Sequence, residues 1–181
     1  MEVIIQNKEE IKTALAQQYQ RIFDFLKELS SDDFARSYEE GKWSCGQHLL
    51  HLIKSTKAVN KALRMPKMAL AGMFGKKNDR PERSYQEIVE KYHAKLAVAD
   101  TSNNAFGADP VSAEDKKGIE SKLHRELESL LSIIDKWDEE KMGIYLLPHP
   151  LLGKMTIREI LLFTVYHTEH HFLNFQKGLS Q

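Results

Sequence analysis

Near its end the chain reads Tyr166-His167-Thr168-Glu169-His170-His171. His167 and His171 are four residues apart, so on an α-helix their imidazoles sit one turn apart on one face. Two neutral imidazoles in that relation offer lone pairs to one point in space, half of a site for a divalent first-row metal. A third histidine is available in Lys42-Trp43-Ser44-Cys45-Gly46-Gln47-His48-Leu49-Leu50-His51-Leu52, as His48 or as His51. Three histidines leave coordination positions open to water or a substrate atom, as in a catalytic rather than a closed structural site. A metal held this way can lower the pKa of bound water, orient a thiolate or polarise a carbonyl.

A dedicated base is harder to find. Glu169 lies inside the cluster by sequence but points away from the His167/His171 face, and His-Thr-Glu-His-His is not the His-Glu-x-x-His protease pattern. It reads as a solvated carboxylate, or one behind the ligands. Cys45 falls in the first turn of a helix, where burial is the default and a nucleophilic role is not expected. His93, His124 and His149 read as structural or surface residues, with His149 near a pocket mouth as the alternative.

The elements that must carry these residues are helical. Ile11, Leu15, Tyr19, Ile22, Phe23 and Leu26 mark a helix from about residue 8 to 29. Ser44 and Gln47 have capping-box spacing and open a second helix through Leu49, Leu52, Ile53, Thr56, Val59 and Leu63. Ile119, Leu123, Leu127, Leu130, Leu131 and Ile134 define a third, from about 113 to 137. Thr156 and Glu159 form another capping-box pair at the start of a fourth, which ends near Gly178. Between the second and third lies a long connection, with a short helix from Ser84 to about Val98. Asp100–Asn104 and Gly107–Pro110 have loop chemistry. No segment shows sustained strand alternation. The expectation is an all-α chain: one domain over residues 1–181, a four-helix bundle with an extra short helix in the second connection.

At about 100° per residue, Ile157, Leu161, Thr164, Thr168 and Phe175 mark the core side of the last helix. His171 falls beside that stripe, His167 slightly further round and His170 toward the exterior. On the second helix the same count ranks His48 slightly above His51, and leaves the choice open. The apolar, Met-rich, basic segment Ala62–Phe74 is compatible with a crossover packed on the bundle's end, a lid over a pocket, or contact with a membrane surface. Pro66 counts against one continuous interfacial helix.

Composition narrows the classes. Lys+Arg and Asp+Glu both number 26, so no global charge argues for nucleic acid. At 41% hydrophobic and 29% charged, the 181 residues suit a globular domain. No apolar run approaches the ~20 residues of a membrane span. A single cysteine excludes an internal disulfide. The start of the chain shows no secretory signal, and a cytoplasmic location is expected.

Trp43-Ser44 followed by His51-Leu52, His149-Pro150-Leu151-Leu152-Gly153-Lys154-Met155-Thr156, and His167, His171 and Asn174 together resemble the DinB/YfiT-like superfamily. The resemblance implies a four-helix bundle with an unusual crossover order, a divalent metal on three histidines, and homodimers. It places the helix-two ligand at the histidine preceding Leu, about eight residues after the Trp, which is His51. The implied metal ligands are thus His51, His167 and His171. Zinc or nickel is expected first, with iron or manganese also accommodated. The resemblance further implies a small-molecule substrate and transfer of a low-molecular-weight thiol to a small electrophile, or a related hydrolysis. The alternative is a noncatalytic bundle acting in ligand binding, dimerisation or stress response.

Overall fold

The side chain of Asn7 accepts the Glu10 N–H and starts α1 (Lys8–Glu28), whose six spaced apolar residues are all buried. The computed structural model describes residues 5–99 and 107–179. Ser30 caps a short α2 (Ser31–Ala35), which serves to bury Phe34. The Ser44–Gln47 capping box then opens α3 (Cys45–Leu63), as its spacing predicts. The long connection holds two helices where one was expected. These are α4 (Lys67–Phe74), which follows Pro66, and α5 (Tyr85–Leu96), which starts at a Ser84–Glu87 capping box. A 3₁₀ turn at Ala113–Asp115 leads into α6 (Lys116–Asp135), and α7 (Glu139–Met142) follows. The last helix, α8 (Ile157–Leu179), begins at the expected Thr156–Glu159 box, with Thr156 N–H on Glu159 Oε2 at 2.8 Å and Glu159 N–H on Thr156 Oγ1 at 3.1 Å.

The four long helices do not pack in chain order. α1 lies against α6 and α8, and α3 lies against the same two, so α1 and α3 face each other across the diagonal. Their meeting point is a hydrogen bond between Tyr19 Oη and Thr56 Oγ1, 2.7 Å long and fully buried. This order puts α3 directly beside α8, which brings the two histidine-bearing segments together.

The all-helical expectation needs one local correction. β1 (Leu146–His149) and β2 (Gly153–Thr156) form an antiparallel hairpin, pairing Leu146 with Thr156 and His149 with Gly153. Strands of four residues are too short to show a period-two pattern, and Pro148 obscures what there is. Backbone context makes the hairpin. His149 Nδ1 accepts the N–H groups of Leu151 and Leu152, and Gly153 takes φ 72° to close the turn. Leu146 N–H bonds Gly75 O, and Lys77 N–H bonds Ile144 O, so the segment after α4 runs along the hairpin. The expected loop at Asp100–Asn104 lies outside the described residues. Gly107–Pro110 is irregular, as expected.

A buried ion cluster fixes the long connection to the bundle. Glu159 is fully buried and receives Arg80 through both carboxylate oxygens at 2.8 Å. Arg83 adds its backbone N–H at 2.8 Å, Nε at 3.1 Å and Nη2 at 2.8 Å. Burial alone would raise this carboxyl's pKa, but the two guanidiniums and the backbone donors hold it below the ordinary value. The N-terminal turn of α8 is thereby tied to residues 80–83, and those residues to the hairpin.

Candidate metal centre

α3 presents His51 and α8 presents His167 and His171, all three buried. His51 Nε2 is 3.0 Å from His167 Nε2, and His171 Nε2 is 3.0 Å from the same atom. The potential ligand atoms of the three residues all lie within 4.8 Å of one another. Metal–nitrogen bonds of about 2.0–2.1 Å set neighbouring ligand nitrogens about 3 Å apart, so the spacing fits one cation. The chemistry of the donor set fits as well. His167 Nε2 carries either one proton or one lone pair, yet it faces two other ring nitrogens. A cation receiving all three lone pairs resolves that conflict. Burial, then the neighbouring imidazoles, holds His167 and His171 well below the usual histidine pKa, so both are neutral at pH 7.

His48 meets the other side of the same group. Its Nδ1 lies 2.8 Å from Nδ1 of His171, on the edge of that ring opposite Nε2. Two lone pairs at that distance repel, so one of the two nitrogens bears a proton. With the proton on His171, its Nε2 is left as a lone pair toward His51 and His167. Burial, with the nearby His51 second, lowers the His48 pKa to about 4, so it is neutral at pH 7 and in one tautomer accepts that proton. Trp43 packs around the group, edge-on to His48 at 5.5 Å and stacked on His171 at 6.2 Å between centroids.

The helical count that ranked His48 above His51 thus separated two residues that both face α8. α3 packs on α6 and α8 together, which widens its buried arc to include His48, Leu49, His51, Leu52, Ile53, Thr56 and Asn60. His170 faces elsewhere, hydrogen-bonded to Asn174 at 3.0 Å and near Tyr166 Oη at 3.3 Å. Tyr166 Oη in turn bonds His93 Nε2 at 2.7 Å. Glu169 pairs with Arg21 at 3.4 Å on the surface, away from the ligand atoms. His124 stacks on Phe23, with centroids 3.5 Å apart. Cys45 is buried, and burial pushes its thiol up to about 12, which removes it as a nucleophile at neutral pH.

A cavity of about 670 Å³ opens beside His51 and His167. A pocket near the histidines, with His149 at its mouth, is among the readings of the sequence, and Thr164 and His149 both line it; its outer wall, the long connection and the hairpin, is a tertiary feature. Phe74, Tyr92, Leu96, Leu147, Pro150 and Phe163 are among the residues that enclose it, and exposed Lys61 and Met73 stand at its rim. The Met-rich segment belongs to this wall through Met65, Met73 and Phe74. Among the described residues no helix is long and apolar enough to cross a membrane.

Comparison with known proteins agrees with this fold. The model of the DinB superfamily matches residues 14–173. The fold is similar to TT2238, a four-helix bundle protein, with TM-score 0.61 and 17% identity over 94% of this chain and 98% of that one. It is similar also to YfiT from Bacillus subtilis, described as a probable metal-dependent hydrolase with an unusual four-helix bundle topology. There the TM-score is 0.60 and the identity 16%, over 98% of this chain and 89% of that one. No curated protein matches the chain. With the superfamily's model spanning most of its length, the chain belongs to the DinB superfamily.

Proposed function

We propose that this protein is a metal-dependent enzyme in which His51, His167 and His171 hold one divalent cation, zinc or nickel, and in which a small electrophile reacts in the adjoining cavity. The observation that carries this reading is the trio of Nε2 atoms at the wall of a cavity large enough for a small molecule. A divalent cation, when bound, supplies Lewis acidity at its open positions, lowering the pKa of a water or a thiol there. The nucleophile is a low-molecular-weight thiol in a transfer reaction or water in the related hydrolysis. The metal-dependent hydrolase description of the YfiT neighbour supports the second.

The chain's own residues have separable parts in this reading. His48 holds the His171 ring so that its Nε2 faces the centre. Phe163 and Leu147 exclude bulk water from one side. Because His149 Nδ1 accepts two backbone N–H groups, its proton sits on Nε2, available as a donor to a substrate oxygen. Among the described residues no carboxylate lines the cavity.

Elemental analysis of tag-free protein purified without chelator tests the reading, beside His51→Ala, His167→Ala and His171→Ala. About one metal per chain, lost in each variant while helical content persists, is the expected result. No metal after reconstitution with zinc, nickel, iron(II) and manganese would overturn it. Assays of the loaded protein with an electrophile, with and without a small thiol, separate transfer from hydrolysis.

A further inference from the structure

Among the described residues, the polar side chains around the cavity are largely committed to the protein itself. Ser55 Oγ donates to Leu52 O at 3.0 Å and Thr164 Oγ1 donates to Ile160 O at 2.8 Å, each within its own helix. His149 Nδ1 closes the hairpin turn. What remains toward the space is a wall of Met65, Phe74, Leu96, Leu147 and Phe163, with the histidine centre at one side. A polyhydroxylated molecule would lose its hydration on entering and find too few partners, at a cost for each unpaired hydroxyl. An apolar chain or ring loses nothing by the same move and gains its transfer free energy.

We propose that the cavity takes a small, predominantly apolar molecule carrying a single oxygen- or sulfur-bearing group, with that group at the histidine centre and the apolar part among Met65, Leu96, Leu147 and Phe163. This rests on the metal-dependent reading above for the placement of the polar group only. In a transfer reaction it assigns the cavity to the electrophile, and leaves a polar thiol to approach from the Lys61 and Met73 rim. Tyr92 and the Nε2–H of His149 remain as donors, enough to orient one acceptor.

The test is a chain-length series on the zinc-loaded protein by calorimetry, comparing n-alkyl hydroxamates from acetyl to octanoyl with the matching n-alkyl amides. Hydroxamates carry a metal-seeking head and the amides do not. The expected result is an affinity gain of about fourfold per methylene in both series, following the transfer free energy of a buried methylene. The gain should shrink in Leu96→Gln and Met65→Gln, two half-buried positions whose folding is checked by circular dichroism. Affinity independent of chain length in both series overturns the proposal, whatever the metal does. Gains with length in both series, but with hydroxamates no tighter than amides, would uphold the apolar cavity and overturn the metal centre instead. Unchanged gains in folded Leu96→Gln and Met65→Gln would place the alkyl chain outside this cavity and overturn the proposal.

Discussion

Nδ1 of His48 and Nδ1 of His171 lie 2.8 Å apart, while Nε2 of His171 lies 3.0 Å from Nε2 of His167. One ring therefore touches a histidine at each nitrogen, and the proton between the Nδ1 atoms decides whether Nε2 is a ligand or a donor. Partners of this kind are worth about 10–100-fold in metal affinity. His48→Ala is expected to weaken zinc binding by about that factor while one metal per chain still binds at saturation. His51→Ala should abolish stoichiometric binding. A competition titration against a chromophoric chelator reads both outcomes, and the reverse pattern would exchange the two assignments.

Gly46 sits where α2 crosses the first turn of α3. A Cβ there would meet Phe34 Cε1 at 2.6 Å and also collide with Val111. Gly46→Ala should destabilise the fold by about 1–3 kcal/mol, the usual cost of overpacking. A urea midpoint equal to that of the unsubstituted protein would show that Phe34 yields freely.

Glu159 is the common anchor for Arg80, Arg83 and the start of α8. Glu159→Ala leaves two guanidiniums without their carboxylate and should cost about 3–5 kcal/mol. Its carboxyl is held below the ordinary carboxylate value in the fold. It therefore contributes stability above the unfolded pKa, and that contribution is lost as pH falls through the folded one. Denaturation at pH 7 compares the two proteins, and a difference under 1 kcal/mol would relegate the cluster to decoration.

His149 gives a second, milder window. Burial, then the charge of Arg83, lowers its pKa from 6.5 to about 4. Between those values the unfolded chain binds a proton that the folded chain refuses, so stability falls as pH drops through the window and is unaffected above it. Metal-free protein should lose on the order of 2 kcal/mol more than His149→Asn between pH 7 and pH 4. Parallel stability curves for the two would contradict the burial of a neutral imidazole.

The sequence by itself determined the local elements. The capping pairs Ser44–Gln47, Ser84–Glu87 and Thr156–Glu159 and the periodic apolar residues of α1, α3, α6 and α8 are readable because caps and helical periods involve residues within a turn or two. The same rule put His167 and His171 on one face and His170 off it. Tertiary structure decided the rest, because the remaining relations are between residues far apart in the chain. The packing of α3 beside α8 rather than α1 brings His51 to His167, and gives His48 its contact with His171, which no single-helix count can distinguish from a ligand. The hairpin has strands too short for a period and exists through partners at residues 75–77 and the His149 turn. The cavity forms where that hairpin, α4 and α5 close over the bundle, and the ionic clamp of Arg80 and Arg83 on Glu159, across more than 70 residues of chain, holds them there.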